Sequence, residues 1–218
     1  MNTLETELNL LGHFLADNPK LVVLTGAGVS HASGIPTYRD AAGKWLSRTP
    51  IQERDFIEDA HTRRRYWVRS FYGWPTMQQA QPNGAHHALA ELERSGHLQL
   101  LITQNVDRLH QRAGSSNVVD LHGRIDQVCC LACHSQFARE DIQTQLERDN
   151  EWPATITQSL RPDGDMEVPD DLVSKLTLPL CTRCNGDLMP DVVFFGGSVP
   201  RPTVTRCSDA VEQADALL

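Results

Sequence analysis

Four groups of residues have types and spacings that can do chemistry. Cys130-x-x-Cys133 and Cys181-x-x-Cys184 form two Cys-x-x-Cys pairs. Each pair can set two thiolates on one side of a tight turn, and two such turns brought together make a closed S4 site suited to Zn2+. Four thiolates leave no open position for water, so a metal held there is structural. The competing reading is four unrelated reduced thiols. Cys129 adjoins a ligand and could compete for the metal, but the regular spacing favours Cys130; Cys207 is left over.

The other three groups sit where strand-like runs end. Gly26-Ala27-Gly28-Val29-Ser30, continuing to Ser33-Gly34-Ile35-Pro36, places glycines directly after a strand, where backbone N–H groups can approach phosphates. It departs from Gly-x-Gly-x-x-Gly, because Gly34 is displaced and the acidic residue expected about 20 positions on to bind a ribose is not evident in the usual place. A tight turn with no ligand is the alternative. Thr103-Gln104-Asn105-Val106-Asp107 can give and accept hydrogen bonds to a carboxamide or a sugar, or Asn105 can simply cap a helix. In Leu121-His122-Gly123, the histidine titrates near neutral pH and can take a proton from a ribose hydroxyl, and the glycine leaves room for a substrate.

The elements that must position these groups follow from periodicity. Leu4, Leu8, Leu11 and Leu15 predict a helix from about Thr3 to Ala16, stopped by Asn18-Pro19. Lys20–Thr25 reads as a buried strand, and a strand that runs into a glycine turn and a helix is how a nucleotide-binding α/β unit opens. Trp45 to Pro82 reads as a helical excursion. Ala85–Arg94 is an expected helix, Leu98–Thr103 a strand, Val106–Ala113 a helix and Val118–Leu121 a strand. Between the cysteine pairs lies a polar stretch with the turn-forming Pro162-Asp163-Gly164-Asp165. Asp191–Phe195 is strand-like, Thr203–Gln213 helical, and Ala214–Leu218 the entry to another strand. That apparent core strand stops with the sequence, which predicts a C-terminally truncated chain.

The fold class expected is therefore α/β: a Rossmann-like parallel sheet with helices on both faces, plus a small inserted zinc-binding domain. Residues 1–44, 85–127 and 189–218 make the first unit, 45–84 the helical excursion and 128–188 the zinc-binding domain. At 218 residues, 40% hydrophobic and 22% charged, the chain can bury a substantial core. A net charge of −8 argues against general binding to nucleic acid, which needs a surplus of Lys and Arg. No apolar run approaches the roughly 18 residues that span a bilayer, and the first residues carry no export signal. Those features, with cysteines spaced for metal rather than disulfides, predict a cytoplasmic protein without a membrane partner.

Taken together, the motifs resemble those of the sirtuin family from about Lys20 onward: Gly-Ala-Gly-Val-Ser, Gly-Ile-Pro-x-Tyr-Arg, Thr-Gln-Asn-Val-Asp, Leu-His-Gly, the paired cysteines and Pro190-Asp191-Val192-Val193-Phe194-Phe195-Gly196. Gly73-Trp74-Pro75 and Pro162–Asp165 look like the class II branch, which has bacterial and mitochondrial members. Many members have Asp-Phe where this chain has Thr37-Tyr38, though Arg39 is retained. The resemblance implies an NAD-dependent protein-lysine deacylase with His122 as catalytic base, one structural zinc and NAD consumed as cosubstrate. Ala27, Gly28 and Ser30 would line the NAD phosphates and neighbouring ribose, while Ile35, Asn105 and Asp107 would hold the nicotinamide carboxamide. Gln104 would bind the nicotinamide ribose, with Gly26, Pro36, Tyr38 and Arg39 in the same cofactor-binding set. Val193, Phe194, Phe195 and Gly196 would meet the acyl-lysine substrate, whose backbone adds as a strand. Release of nicotinamide and transfer of the acyl group to ADP-ribose would follow.

Three other readings compete. A hydride-transferring dehydrogenase shares the glycine-rich unit but fits the cysteine pairs and Thr103–Asp107 poorly. A protein mono-ADP-ribosyltransferase differs only in the nucleophile. An inactive zinc- and nucleotide-binding module would follow if these residues were the whole product.

Overall fold

The computed structural model describes residues 3–37, 50–153 and 169–218. Tyr38, Arg39 and Pro162–Asp165 therefore lie outside the described residues. Helix α1 (Thr3–Asp17) leads into strand β1 (Leu21–Thr25), a one-turn helix α2 (Ala27–Ser30) and a 3-10 turn at His31–Ser33. Helices α3 (Glu53–Glu58), α4 (Ala60–Gln79) and α5 (Gly84–Arg94) follow, then strand β2 (Leu98–Thr103), helix α6 (Leu109–Arg112) and strand β3 (Val118–Asp120). Strands β4 (Gly123–Cys130) and β5 (Gln136–Ala138), helices α7 (Arg139–Asp149) and α8 (Asp170–Lys175), strand β6 (Leu188–Val192), helix α9 (Arg201–Gln213) and strand β7 (Ala216–Leu217) complete the chain.

A parallel sheet in the order β3-β2-β1-β7 carries the site. Its central strands are apolar on both faces, as a sheet covered from two sides requires. Val22, Leu100, Ile102 and Val119 pack toward Cys207, Ala210 and Ala214 of α9. Val23, Leu98 and Leu101 pack toward Leu89 and Leu92 of α5 on the opposite face. The register pairs Thr25 with Thr103, and Thr103 with Asp120, so the three strands end level and their following loops emerge on one side. Helix α1 forms as its leucine spacing predicts, yet Leu8 and Leu11 stay 59% and 42% exposed.

The antiparallel sheet β5-β4-β6 is the scaffold of the cysteine cluster. It shares one core with the helical excursion: Phe56, Tyr66, Trp67 and Val68 pack with Val128, Ile142, Leu146 and Leu188. Asp59 starts α4 by accepting from the backbone N–H groups of His61 (3.0 Å) and Thr62 (2.9 Å). Arg139, fully buried, lies over the rings of Trp67 and Trp74 at 5.5 and 5.2 Å and donates to the Ser70 carbonyl at 3.1 Å. Arg63 of α4 pairs with Asp187 at 3.1 Å, tying the excursion to the second cysteine turn.

Two sequence expectations are corrected. Val106–Ala113 is helical only over Leu109–Arg112, because Arg108 adopts a left-handed conformation (φ 65°) that no helix interior tolerates. The strand expected at Asp191–Phe195 spans Leu188–Val192: Leu188, Met189 and Pro190 pair with Cys130, Cys129 and Val128, and the chain leaves the sheet after Val192. Phe194 instead stacks on Phe56 at 4.9 Å and meets Tyr66 edge-on at 5.5 Å, and Phe195 bridges to Gln52.

Trp67 is wholly buried beneath both the helical excursion and the cysteine-bearing sheet. Trp67→Ala is expected to cost about 3–5 kcal/mol, read as a lower urea midpoint; a loss under about 1 kcal/mol would show that this shared core does not hold the two parts together.

Candidate active site and metal centre

The loops after β1 and β2 meet over the level strand ends. Asn105 donates through Nδ2 to the Gly26 carbonyl and to Ser30 Oγ, both at 3.0 Å. A carbonyl only accepts, so this fixes the amide orientation and identifies the remaining side-chain atom of Asn105 as an acceptor oxygen. Ser30, wholly buried, donates its Oγ–H to Asp107 Oδ2 at 2.6 Å. Asp107, 8% exposed, uses its other oxygen to accept from the Leu109 N–H at 2.9 Å. The first N–H of α6 is thus taken by Asp107, ahead of Arg108 at the N-cap, and not by Asn105 as the capping alternative expected. Asn105 is freed for the site.

Beside this chain stands His122, half-buried at the β3–β4 corner. Its Nδ1 lies 3.1 Å from the Gln104 carbonyl. Because that oxygen can only accept, Nδ1 carries the proton and Nε2 keeps its lone pair, the tautomer a general base needs. The backbone fixes the ring as well: Val193 N–H donates to the His122 carbonyl at 2.8 Å, and Leu121 N–H to the Thr103 carbonyl at 2.8 Å. Gly123 (φ 80°) makes the corner possible, since a Cβ there would lie 2.2 Å from the Asp191 carbonyl oxygen.

Of the remaining sequence candidates, Ile35 is buried with Trp74, Met77, Leu109 and Ile125, under the Asn105–Asp107 loop rather than open to solvent. Gly28 is exposed, and a Cβ on it would meet nothing within 4 Å, so the turn has free space above it. Gly26 and Ala27 are half-buried at the same turn, and Pro36 follows Ile35 out of it. Gln104 is exposed. Val193 and Phe194 are half-buried, while Phe195 and Gly196 are exposed at the end of the segment leaving β6.

Sequence reasoning missed the polar layer beneath the loops. Thr25 Oγ1 donates to Thr103 Oγ1 (2.9 Å) and lies 2.9 Å from His110 Nε2, and the Asn105 N–H donates to Thr103 Oγ1 at 3.1 Å. His110 and His86 are buried with rings 4.7 Å apart. Asn83, which caps α5, also donates to the Val29 carbonyl (2.8 Å) and Ser33 Oγ (2.9 Å), so it steadies the glycine turn. Threonine ending both adjacent strands, and Asn83-Gly84 before an alanine-rich run, were the available signals.

The four cysteine sulfurs of Cys130, Cys133, Cys181 and Cys184 lie within 4.8 Å of one another. Cys130 to Cys184 is 3.5 Å and Cys133 to Cys181 is 3.6 Å. Thiolates at about 2.3 Å around a tetrahedral Zn2+ stand roughly 3.8 Å apart, so the cluster fits that ion. Gly186 is required by it: a Cβ there would fall 2.8 Å from the Ala132 Cβ and 3.0 Å from Cys130 Sγ. Hydrogen bonds from the Ser135 side chain and backbone pull Cys133 down to about 6. At Cys184 the Gly186 N–H favours the thiolate, yet the sulfurs of Cys133 and Cys130 push it up to about 12. A divalent cation at the centre is what lets all four ionise together. Cys129 lies outside the cluster.

Residues 26–218 match the Sir2 family. The chain belongs to that family. This Sir2-family chain is 50% identical over 209 residues to the NAD-dependent protein deacetylase 2 of Bradyrhizobium diazoefficiens, covering 95% of itself and 76% of that protein. It is 44% identical over 217 residues to the NAD-dependent protein deacylase Sirt4 of Drosophila melanogaster, covering 98% and 70%. Among solved structures it is similar to a Sir2 with a p53 peptide and NAD+ (TM-score 0.70, 31% identity, covering 95% of this chain and 72% of that one). A second is Sir2Tm bound to a propionylated peptide (TM-score 0.69, 30% identity, 99% and 73%). No described helix of the Sir2-family chain is long and apolar enough to cross a membrane.

Two outcomes follow from the site. Purified protein should carry about one equivalent of zinc, and Cys133→Ser should lose most of it together with thermal stability; a wild-type chain free of metal by elemental analysis would overturn the fit. Burial lowers the pKa of His110 to about 4, with His86 adding to the effect, and burial also lowers that of His86. Above the ordinary histidine pKa both states are neutral and stability is full; below it the unfolded chain takes up protons that the folded one refuses. Stability should therefore fall between about pH 6.5 and 5, by up to roughly 1.4 kcal/mol per pH unit for each group. Denaturant midpoints that stay flat across that window would contradict neutral burial.

Proposed function

We propose that this chain removes acyl groups from protein lysine side chains at the expense of NAD, with His122 as the base. The observation that carries the reading is the pairing of a histidine whose Nδ1 is committed to the Gln104 carbonyl with the ordered Asn105–Ser30–Asp107 chain beside it. Relatives named as deacetylases and a deacylase support this reading over mono-ADP-ribosyl transfer.

NAD, when bound, would supply an electrophilic ribose carbon bearing nicotinamide as leaving group; with one water consumed, the bond between the acyl carbon and the lysine nitrogen would break and ADP-ribose would carry the acyl group away. The residues of this chain do the rest. Ile35, Asn105 and Asp107 hold a carboxamide, with Ser30 keeping Asn105 and Asp107 in place. Gly26, Ala27, Gly28 and Ser30 surround the free space at the end of β1, with Pro36, Tyr38 and Arg39 assigned to the same cofactor-binding set and Gln104 to the ribose. His122 Nε2 accepts the proton of a ribose hydroxyl, which becomes the nucleophile for the acyl carbon. Val193, Phe194, Phe195 and Gly196 form the wall along which an acyl-lysine peptide lies, with residues 128–188 as the zinc-binding domain, 45–84 as the helical excursion and the remainder as the cofactor-binding unit. Holding the two reactants in one orientation supplies much of the acceleration. Class II membership and a cytoplasmic location complete the proposal.

The test is mass spectrometry of the chain with NAD and a panel of acyl-lysine peptides. Free lysine, nicotinamide and acyl-ADP-ribose should appear together. His122→Ala should keep fold and zinc while deacylation falls by about 100-fold or more; unchanged turnover in that variant would sink the assignment of the base.

A further inference from the structure

Arg108 is the one described residue between the Asn105–Asp107 loop and α6, and its backbone is left-handed (φ 65°, ψ 15°). A non-glycine residue is strained in that region and persists there only where its surroundings hold it. What holds it is an ion pair. The Arg108 guanidinium donates to Asp120 Oδ2, with the Arg and Asp side chains 20% and 18% exposed. Asp120 ends β3, two residues before His122, and its other oxygen accepts from Gln111 Nε2 at 2.9 Å. Arg108 also reaches toward Asp126 of β4 at 3.9 Å, and Asp126 is itself gripped by both arms of Arg124 at 2.6 and 2.7 Å.

From this geometry we infer that Arg108 and Asp120 are positioning residues, a clamp that holds the Asn105–Asp107 loop and the His122 corner as one body. The inference rests on the assignment of His122 and that loop to the reaction. Neither Arg108 nor Asp120 belongs to the residue sets that touch cofactor or acyl-lysine. The clamp works alongside the main-chain bonds that join the same two segments, Ile125 N–H to the Val106 carbonyl at 3.0 Å and Leu121 N–H to the Thr103 carbonyl. Those bonds set the separation of loop and corner. Arg108 adds a charged anchor: its Nη1 donates to Asp120 on β3 while its Nε lies 3.9 Å from Asp126 on β4, so one guanidinium reaches both strands that flank the His122 corner. Burial pushes the Asp120 carboxyl up, and Gln111, Arg108 and Arg124 oppose that shift, so the ionised partner depends on the clamp's own members.

The experiment compares wild type, Asp120→Asn, Arg108→Ala, the double variant and the charge-retaining Arg108→Lys, with zinc content and melting temperature recorded for each. Wild-type turnover of an acyl-lysine peptide tests the functional assignment by itself. If the clamp positions the base, kcat falls about tenfold or more in either single variant while the peptide KM changes less than about threefold. The double variant should then be no worse than the poorer single, the non-additivity of two residues acting as one, and Arg108→Lys should recover only part of the loss. A kcat within twofold of wild type in a folded, zinc-loaded Asp120→Asn protein would overturn the inference. So would additive losses, or losses that merely track the fraction folded.

Discussion

The parallel register between β1 and β2 is the constraint on which the site depends. Pairing Thr25 with Thr103 ends both strands at one level. The glycine turn and the Gln104–Arg108 loop therefore face each other at hydrogen-bonding distance. A slip of one residue would turn Thr25 and Thr103 to opposite faces and remove the Thr25–Thr103–Asn105 bonds beneath the loops. The strands are kept in register by burial on both sides, α5 against one face and α9 against the other. The polar chain above them is therefore a product of apolar packing below.

A second body makes the other half of the site. The sheet β5-β4-β6 shares aromatic packing with α3 and α4, so the cysteine-bearing segment is not an appendage on the parallel sheet. Phe194 stacks on Phe56, and the Glu53 N–H donates to the Phe195 carbonyl at 2.9 Å, which fixes the segment after β6 from two directions. The proposed wall for the acyl-lysine chain is built from residues whose positions are set by this packing.

Much of this was legible in the residue order. Strand β2 has the bounds its residues predict, Leu98–Thr103, because Leu98 and Leu100–Ile102 are apolar and polar residues follow. The cysteine set was legible because ligand spacing is a local property. Boundaries decided by long-range contacts were not legible. Val106–Ala113 looks helical by pattern, and the contacts that break it at Arg108 come from distant residues: the ion pair with Asp120 and the Ile125 N–H on the Val106 carbonyl. Val193–Phe195 is strand-like by composition, but it makes isolated backbone bonds, to His122, Gln52 and Glu53, while Phe194 packs on aromatic rings. The buried histidine pair escaped notice because a lone histidine carries no signal of its depth.

The attachment of His122 has a mechanical consequence. Its ring is tethered to the parallel sheet through the Gln104 carbonyl, and its own carbonyl is tethered to Val193, just past the strand that pairs with Cys129 and Cys130. The aim of the imidazole is thus a compromise between two anchorages, one in each body. A metal centre that never meets the proposed reactants would still have a lever on the proposed base, because slackening of the cysteine turns would reach His122 through the Val193 N–H.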